Sequence, residues 1–254
     1  MRFTDSGGDG IPVLLTHGAG MDASTWDAQA AALAADGHRV VVWDLRGHGA
    51  STLDPRRRFT AADALDDLAA LLDAVGAERA VLVGHSLGGN LSQAFAHAHP
   101  DRVAGLVVVD ATWSAGPLTG LERFGLTIST PVMGMFPAGS LARTMARASA
   151  VTPAAIARAE EVLARMPRRR FLDVFGATTS LLDPDPARRT PVPLALIRGE
   201  RDRTGNIATA MPRWAQAEGV AERVMPDAGH LVSWDAPDAT TRELRDILAG
   251  WGVR

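Results

Sequence analysis

The chain contains no cysteine, which excludes disulfides, thiolate catalysis and Cys-ligated zinc. It also contains no lysine. All 26 basic residues are arginine, so neither Schiff-base nor lysine-base chemistry is open to it. Net charge is nearly absent as well. A formal −3 gives no basic footprint for nucleic acid and no cationic face for a membrane. Long apolar runs are missing, since no window reaches about eighteen uninterrupted apolar residues, and no transmembrane helix is expected. Met1–Gly10 (MRFTDSGGDG) has no apolar h-region, so no signal peptide is expected and the cytoplasm is the expected location. A 254-residue chain can bury a sizeable core, and α/β folds of this length often form a single unit.

What is present is a rhythm of short apolar runs and helical patterns. Ile11–Thr16, Arg39–Trp43, Ala80–Val83, Gly105–Val109 and Pro193–Ile197 are rich in Val, Leu and Ile and mostly lack polar alternation. Strands covered by helices on both faces have that composition. Glu222–Met225 is a shorter candidate. Trp26–Asp36 and Ala61–Val75 read as helices that end at Gly37 and Gly76, and Asn90–Ala98 and Ala236–Leu248 complete the pattern. Strand–helix alternation predicts a mostly parallel, doubly wound α/β sheet. Residues 112–190 break the rhythm with an apolar stretch cut by Pro131, Gly134 and Pro137. Two helical patterns and the basic run Arg168-Arg169-Arg170 follow. The expected organisation is a core of 1–111 and 191–254 with a helical cap insertion at 112–190.

The sharpest chemical signal is Gly84-His85-Ser86-Leu87-Gly88-Gly89, placed between a strand and a helix. A serine on such a tight turn is pushed outward, and the helix behind it offers backbone N–H groups and a positive dipole end to developing negative charge. Serine needs a positioned base. Six of the seven histidines sit in places that suit other tasks, which leaves His230 in Asp227-Ala228-Gly229-His230. The partner that fixes its tautomer is read as Asp202, with Glu200 and Asp110 as rival carboxylates. Charge on a carbonyl oxygen needs two aimed donors. The Leu87 N–H is one; the other comes from the His17-Gly18-Ala19-Gly20 loop, with Ala19 first and Gly18 as the alternative.

His17–Gly20, Asp44-Leu45-Arg46-Gly47-His48-Gly49-Ala50-Ser51, Gly84–Gly89, Gly199–Asp202 and Gly229-His230 together resemble the motifs of the α/β-hydrolase family, in that family's order. The resemblance spans about residues 11–111 and 191–250. It implies a serine hydrolase with the chain order Ser86, Asp202, His230, acting on a carboxylic ester or related acyl compound through an acyl-enzyme, without metal or organic cofactor. Serine at the elbow makes the chain unlike the haloalkane dehalogenases and epoxide hydrolases of the fold, which place aspartate there. C–C bond or lactone hydrolysis, acyl transfer and perhydrolysis use the same triad, and a receptor-like ligand-binding module is the non-enzymatic alternative. The family usually begins with a hairpin; the ten residues before Ile11 leave room for one short strand.

The partner implied is a small apolar substrate, in a monomer or homodimer. Trp113, Phe124, Leu126, Ile128, Met133, Met135, Phe136 and Met145 supply the apolar groups of the cap. From these, Trp113, Met133 and Phe136 are taken as pocket candidates with Trp26, which either lines the site or fills the core. Arg165, Arg168, Arg169 and Arg170 form a solvated face or hold an acidic substrate group.

Overall fold

A computed structural model describes residues 1–253, apart from the side chains of residues 138 and 139. Seven strands form one sheet in the order β1-β3-β2-β4-β5-β6-β7. They are β1 (Arg2–Asp5), β2 (Val13–Thr16), β3 (Val40–Asp44), β4 (Ala80–His85), β5 (Val103–Val109), β6 (Leu194–Gly199) and β7 (Glu222–Met225). All neighbours are parallel except β1, which pairs antiparallel with β3 at the sheet edge. One short strand therefore occupies the place where a hairpin was not expected to fit.

The strands alternate between two cores. Leu14, Trp43, Leu82 and Leu106 face α2 (Ala61–Ala74), α3 (Leu87–Ala98) and α8 (Ile207–Glu218). Val13, Leu15, Val81, Val83 and Val107 face α1 (Asp27–Ala35) and α10 (Pro237–Gly250). Their period of two is hidden in the sequence because both faces are buried. Burying one such side chain stabilises the fold by about 1.5–3 kcal/mol, and a one-residue slip in register would exchange the two cores. Thr60 caps α2 by accepting from Asp63 N–H, and Gly219, at φ 69°, ends α8 in the left-handed region.

Between β5 and β6 the chain makes α4 (Gly120–Met133), α5 (Ala138–Ser149), α6 (Pro153–Ala164) and α7 (Arg168–Ser180); α9 (Val232–Asp235) precedes α10. Two of these depart from the sequence reading. The apolar stretch at Phe124 is one continuous helix, and Pro131 sits in its last turn, where a missing N–H costs a single helical bond. The basic run at Arg168 opens α7, because Phe171, Phe175 and Thr178 share one face at helical spacing. The insertion has its own small core of Leu141, Ala146, Ala159, Leu163 and Phe171, joined by Met21 and Leu231. Among the described residues, no helix is long and apolar enough to cross a membrane.

Candidate active site

β4 enters α3 through Ser86, whose φ of 52° and ψ of −118° are unusual for a residue with a side chain. Such a conformation costs of order 1–3 kcal/mol and persists only where its surroundings enforce it. They do so here. Ser86 N–H donates to the Val109 carbonyl at 2.9 Å, and its own carbonyl accepts from Asn90 N–H at 3.0 Å. The flanking glycines are steric necessities. A Cβ on Gly84 would come 2.3 Å from the Gly88 carbonyl oxygen, and one on Gly88 would come 2.4 Å from that of Thr16. Ser86 thus stands at the end of the sheet while its neighbours are buried, and its hydroxyl lines a cavity of about 460 Å³.

His230 lines the same cavity. Its Nδ1–H donates to Asp202 Oδ2 at 3.0 Å, which leaves Nε2 as the acceptor. Asp202 is fully buried at the exit of β6, and its Oδ1 accepts from Thr204 N–H at 2.7 Å. Burial pushes the Asp202 carboxyl up, but the His230 ring and the bonds from His230 and Thr204 outweigh it and hold the group at about 2. Of the rival carboxylates, Glu200 bonds the Asp227 N–H at 3.0 Å and lies outside this set. Asp110 lies inside it. Its Oδ1 accepts from Gly199 N–H at 2.8 Å, and one ligand atom from each of Asp110, Asp202 and His230 falls within 4.8 Å of the others. Burial, and then the Asp202 charge, push Asp110 well above the usual carboxylate range. With two carboxyls this close, the surroundings favour the charge on Asp202 and push Asp110 toward its protonated form. These three side chains are the group, among the described residues, whose spacing could bracket a metal ion. The direct hydrogen bond between His230 Nδ1 and Asp202 Oδ2 takes up these two atoms, so an ion held by them would have to replace it.

The two candidate donors for an oxyanion, Ala19 N–H and Leu87 N–H, have no acceptor within the described chain. Leu87 opens α3 and so has no carbonyl one turn earlier. Ala19 lies in a loop fixed from both sides. Met21 N–H donates to Gly18 O at 3.2 Å, and Gly20 N–H donates to His48 Nε2 at 3.2 Å. His48 Nδ1–H in turn donates to Arg46 O at 3.1 Å, and His17 accepts from Leu45 N–H at 3.0 Å. Burial keeps both imidazoles neutral by pushing their pKa values down. The Asp44–Ser51 motif is therefore the brace of the Ala19 loop: the Asp44 carboxylate also accepts from Ala23 and Ala50 N–H at 2.7 and 2.8 Å.

Two residues that hold the histidine were not singled out as such from the sequence. His85 is buried and pushed down to about 3 by that burial, and then by His230. As a neutral donor it gives its Nε2–H to the His230 carbonyl at 2.8 Å. The Asp235 carboxylate accepts from Gly229 N–H at 3.0 Å and from Val151 and Thr152, tying the His230 loop to the α5–α6 turn. A carboxylate five residues after the histidine is the only signal in the sequence for that tie.

The four pocket candidates are not in the cavity. Trp26 is fully buried in the core beside Leu33. Trp113 stacks on Trp214 with centroids 6.3 Å apart, beneath α8. Met133 packs on the insertion's own core, and Phe136 is 40% exposed. The walls come instead from Ala19 and Met21, from Leu126 and Met145, and from Leu163, Phe171 and Phe175. The error has a physical cause. α4 is apolar on its outer face too, so composition could not tell lining residues from outward ones, and α7 was not read as a helix. None of the four basic candidates reaches the cavity either; Arg170 donates to the carbonyls of Asp54 and Arg57.

A family model described as the alpha/beta hydrolase fold matches residues 11–237. Over 106 residues the chain is 43% identical to RutD of Variovorax paradoxus, assigned by name to carbamate hydrolysis; this covers 42% of the chain and 40% of RutD. Over 110 residues it is 36% identical to epoxide hydrolase B of Mycobacterium tuberculosis, covering 43% of the chain and 31% of that protein. The matched segment thus spans less than half the length of these relatives. A thermophilic esterase from Thermogutta terrifontis superposes with a TM-score of 0.83 at 29% identity, over 98% of this chain and 93% of the esterase.

Proposed function

For this chain, which belongs to the alpha/beta hydrolase fold family, we propose hydrolysis of carboxylic esters or related small acyl compounds, with Ser86 as nucleophile. The observation that carries the reading is that Ser86 and His230 share one largely apolar cavity, which Ala19 also lines, while the N–H groups of Ala19 and of Leu87, the residue after Ser86, have no acceptor among the described residues. His230 Nε2, made an acceptor by the Asp202 bond, takes the Ser86 proton as the hydroxyl oxygen attacks the carbonyl. The oxyanion that forms accepts from the Ala19 and Leu87 N–H groups. His230 then returns the proton to the leaving alcohol, and water releases the acyl group by the same steps. In this reading α4–α7 act as a cap that closes the cavity above Ser86.

The family likeness supports hydrolysis, and the full-length likeness to an esterase favours the ester bond. The test is turnover of a p-nitrophenyl ester panel by the wild type and by Ser86→Ala. Release of nitrophenol over many turnovers, lost in the variant by about 10³-fold or more, is the expected result. A folded wild type that is inert on every ester sinks the ester reading and moves C–C or lactone hydrolysis, or acyl transfer, ahead of it.

A further inference from the structure

The geometry points to a charge-selective subsite in the Ser86 cavity: Glu122, presented by Asn206 and Thr112, accepts a protonated amine or another donor group of the substrate and turns away esters that carry a carboxylate. This rests on the esterase reading of Ser86 and specifies its substrate class. Glu122, Asn206 and Thr112 all line the cavity. Thr112 Oγ1–H donates to Asn206 Oδ1 at 2.6 Å, and Asn206 Nδ2–H donates to Glu122 Oε1 at 3.0 Å. The other oxygen, Oε2, accepts from the backbone N–H of Thr119 at 2.7 Å and from its hydroxyl at 2.6 Å.

Every one of these partners is neutral. They orient the carboxylate and hold it ionised without cancelling its charge, and the bonds from Thr119 above all lower its pKa. Among the described residues no arginine lines the cavity, and Glu122 is its one carboxylate. The cation that acts on Glu122 is Arg213, exposed on α8 and not part of the cavity lining. Met21, Leu163, Phe171 and Leu231 give the same cavity an apolar wall. Glu122 is half-buried and its oxygens already accept from neutral donors, so its uncancelled charge on the wall of a largely apolar cavity repels a second anion and attracts a cation or a further hydrogen-bond donor. Asn206 lies two residues beyond Thr204, whose N–H holds Asp202, so the subsite adjoins the catalytic set.

Glu122 also completes the capping box of α4, and a purely structural role would use the same bonds. Glu122→Gln separates the two, because the glutamine oxygen keeps the cap on Thr119 N–H and its amide N–H donates to a flipped Asn206 amide, while the charge is lost. The experiment uses two matched ester series, one varied on the acyl chain and one on the alcohol, each ending in methyl, ammonium or carboxylate. Turnover by the wild type and by Glu122→Gln is compared with calorimetric affinity for Ser86→Ala and for Ser86→Ala/Glu122→Gln, which bind without hydrolysing. In at least one series the wild type is expected to prefer the ammonium ester over the carboxylate by about tenfold or more, with the preference collapsing in Glu122→Gln. Equal preference among the three end groups, or a preference that survives in Glu122→Gln, overturns the subsite. A wild type that turns over none of these esters, the methyl ester included, overturns the esterase reading instead, and the affinity ratio of the Ser86→Ala pair then decides the subsite alone.

Discussion

The strand exits and the helical insertion face each other across one cavity, yet they are built differently. At the exits of β4, β5 and β6, polar groups are claimed by fixed partners: Ser86 N–H by Val109, Gly199 N–H by Asp110, Asp202 by Thr204 and His230. In α4, on the other side, no side chain is buried, and Leu121 and Phe124 are 80% and 60% exposed. The difference teaches where each property resides. Chemistry needs atoms held to within a fraction of an ångström, and the close-packed sheet supplies that. Selectivity needs only a wall of the right chemistry, which a less tightly packed helix can carry and change at small cost to the fold.

The comparison breaks most visibly at Asp202. Asp202→Asn leaves the shape intact but offers His230 Nδ1 an amide that favours the wrong tautomer. Ester turnover should fall by about 10³–10⁴-fold in kcat while circular dichroism stays native; a drop of less than tenfold would assign the orienting role to Asp110. Next comes Gly199→Ala. The added Cβ would stand 2.0 Å from the Gly229 carbonyl oxygen and 2.6 Å from that of Ala228, both backbone atoms that cannot yield without moving His230. A loss of about 2–3 kcal/mol in urea unfolding, together with reduced turnover, is expected; an unchanged midpoint would mean that the two loops are not held as described.

A smaller effect follows from pH. His17, His48 and His85 are buried and pushed down, His85 to about 3. Below about pH 6.5 the unfolded chain binds protons that these folded imidazoles refuse, so stability falls with falling pH, by about 1.4 kcal/mol per unit for each histidine. Asp110, pushed up, acts in the opposite direction above the ordinary aspartate range, and Asp202, held at about 2, adds to the loss only below that range. The net prediction is a Tm that declines from pH 6.5 to 4; a flat profile would contradict the three neutral histidines. The smallest effect is on the insertion: Leu121→Gln, at a position 80% exposed, should change stability by no more than about 0.5 kcal/mol. A larger loss would show that the outer face of α4 is packed against something.

How much was legible in advance divides along the same line. The strand runs, the elbow at Ser86 and the candidates Asp202 and His230 could be read because each depends on local chemistry: buried runs, a glycine-flanked turn, a carboxylate and a histidine at successive strand exits. The binding walls could not. Trp26 and Trp113 are large and apolar wherever they go, and only packing sent one beneath α1 and the other onto Trp214. Phe171 and Phe175 were hidden behind a basic run that read as a solvated face. Glu122 carried only the signature of a helix cap.

By itself, the sequence determined the alternation of elements, the parallel sheet and which residue types could perform acyl chemistry, since these follow from periodicity, turn sterics and side-chain acidity. Tertiary structure alone decided that Asp110 sits beside Asp202, that His48 and His85 hold the backbone of the site, and that a single carboxylate faces the cavity. Those are contacts between residues far apart in the chain, whose distances no local pattern encodes; they are set by how seven strands and their covering helices fill space.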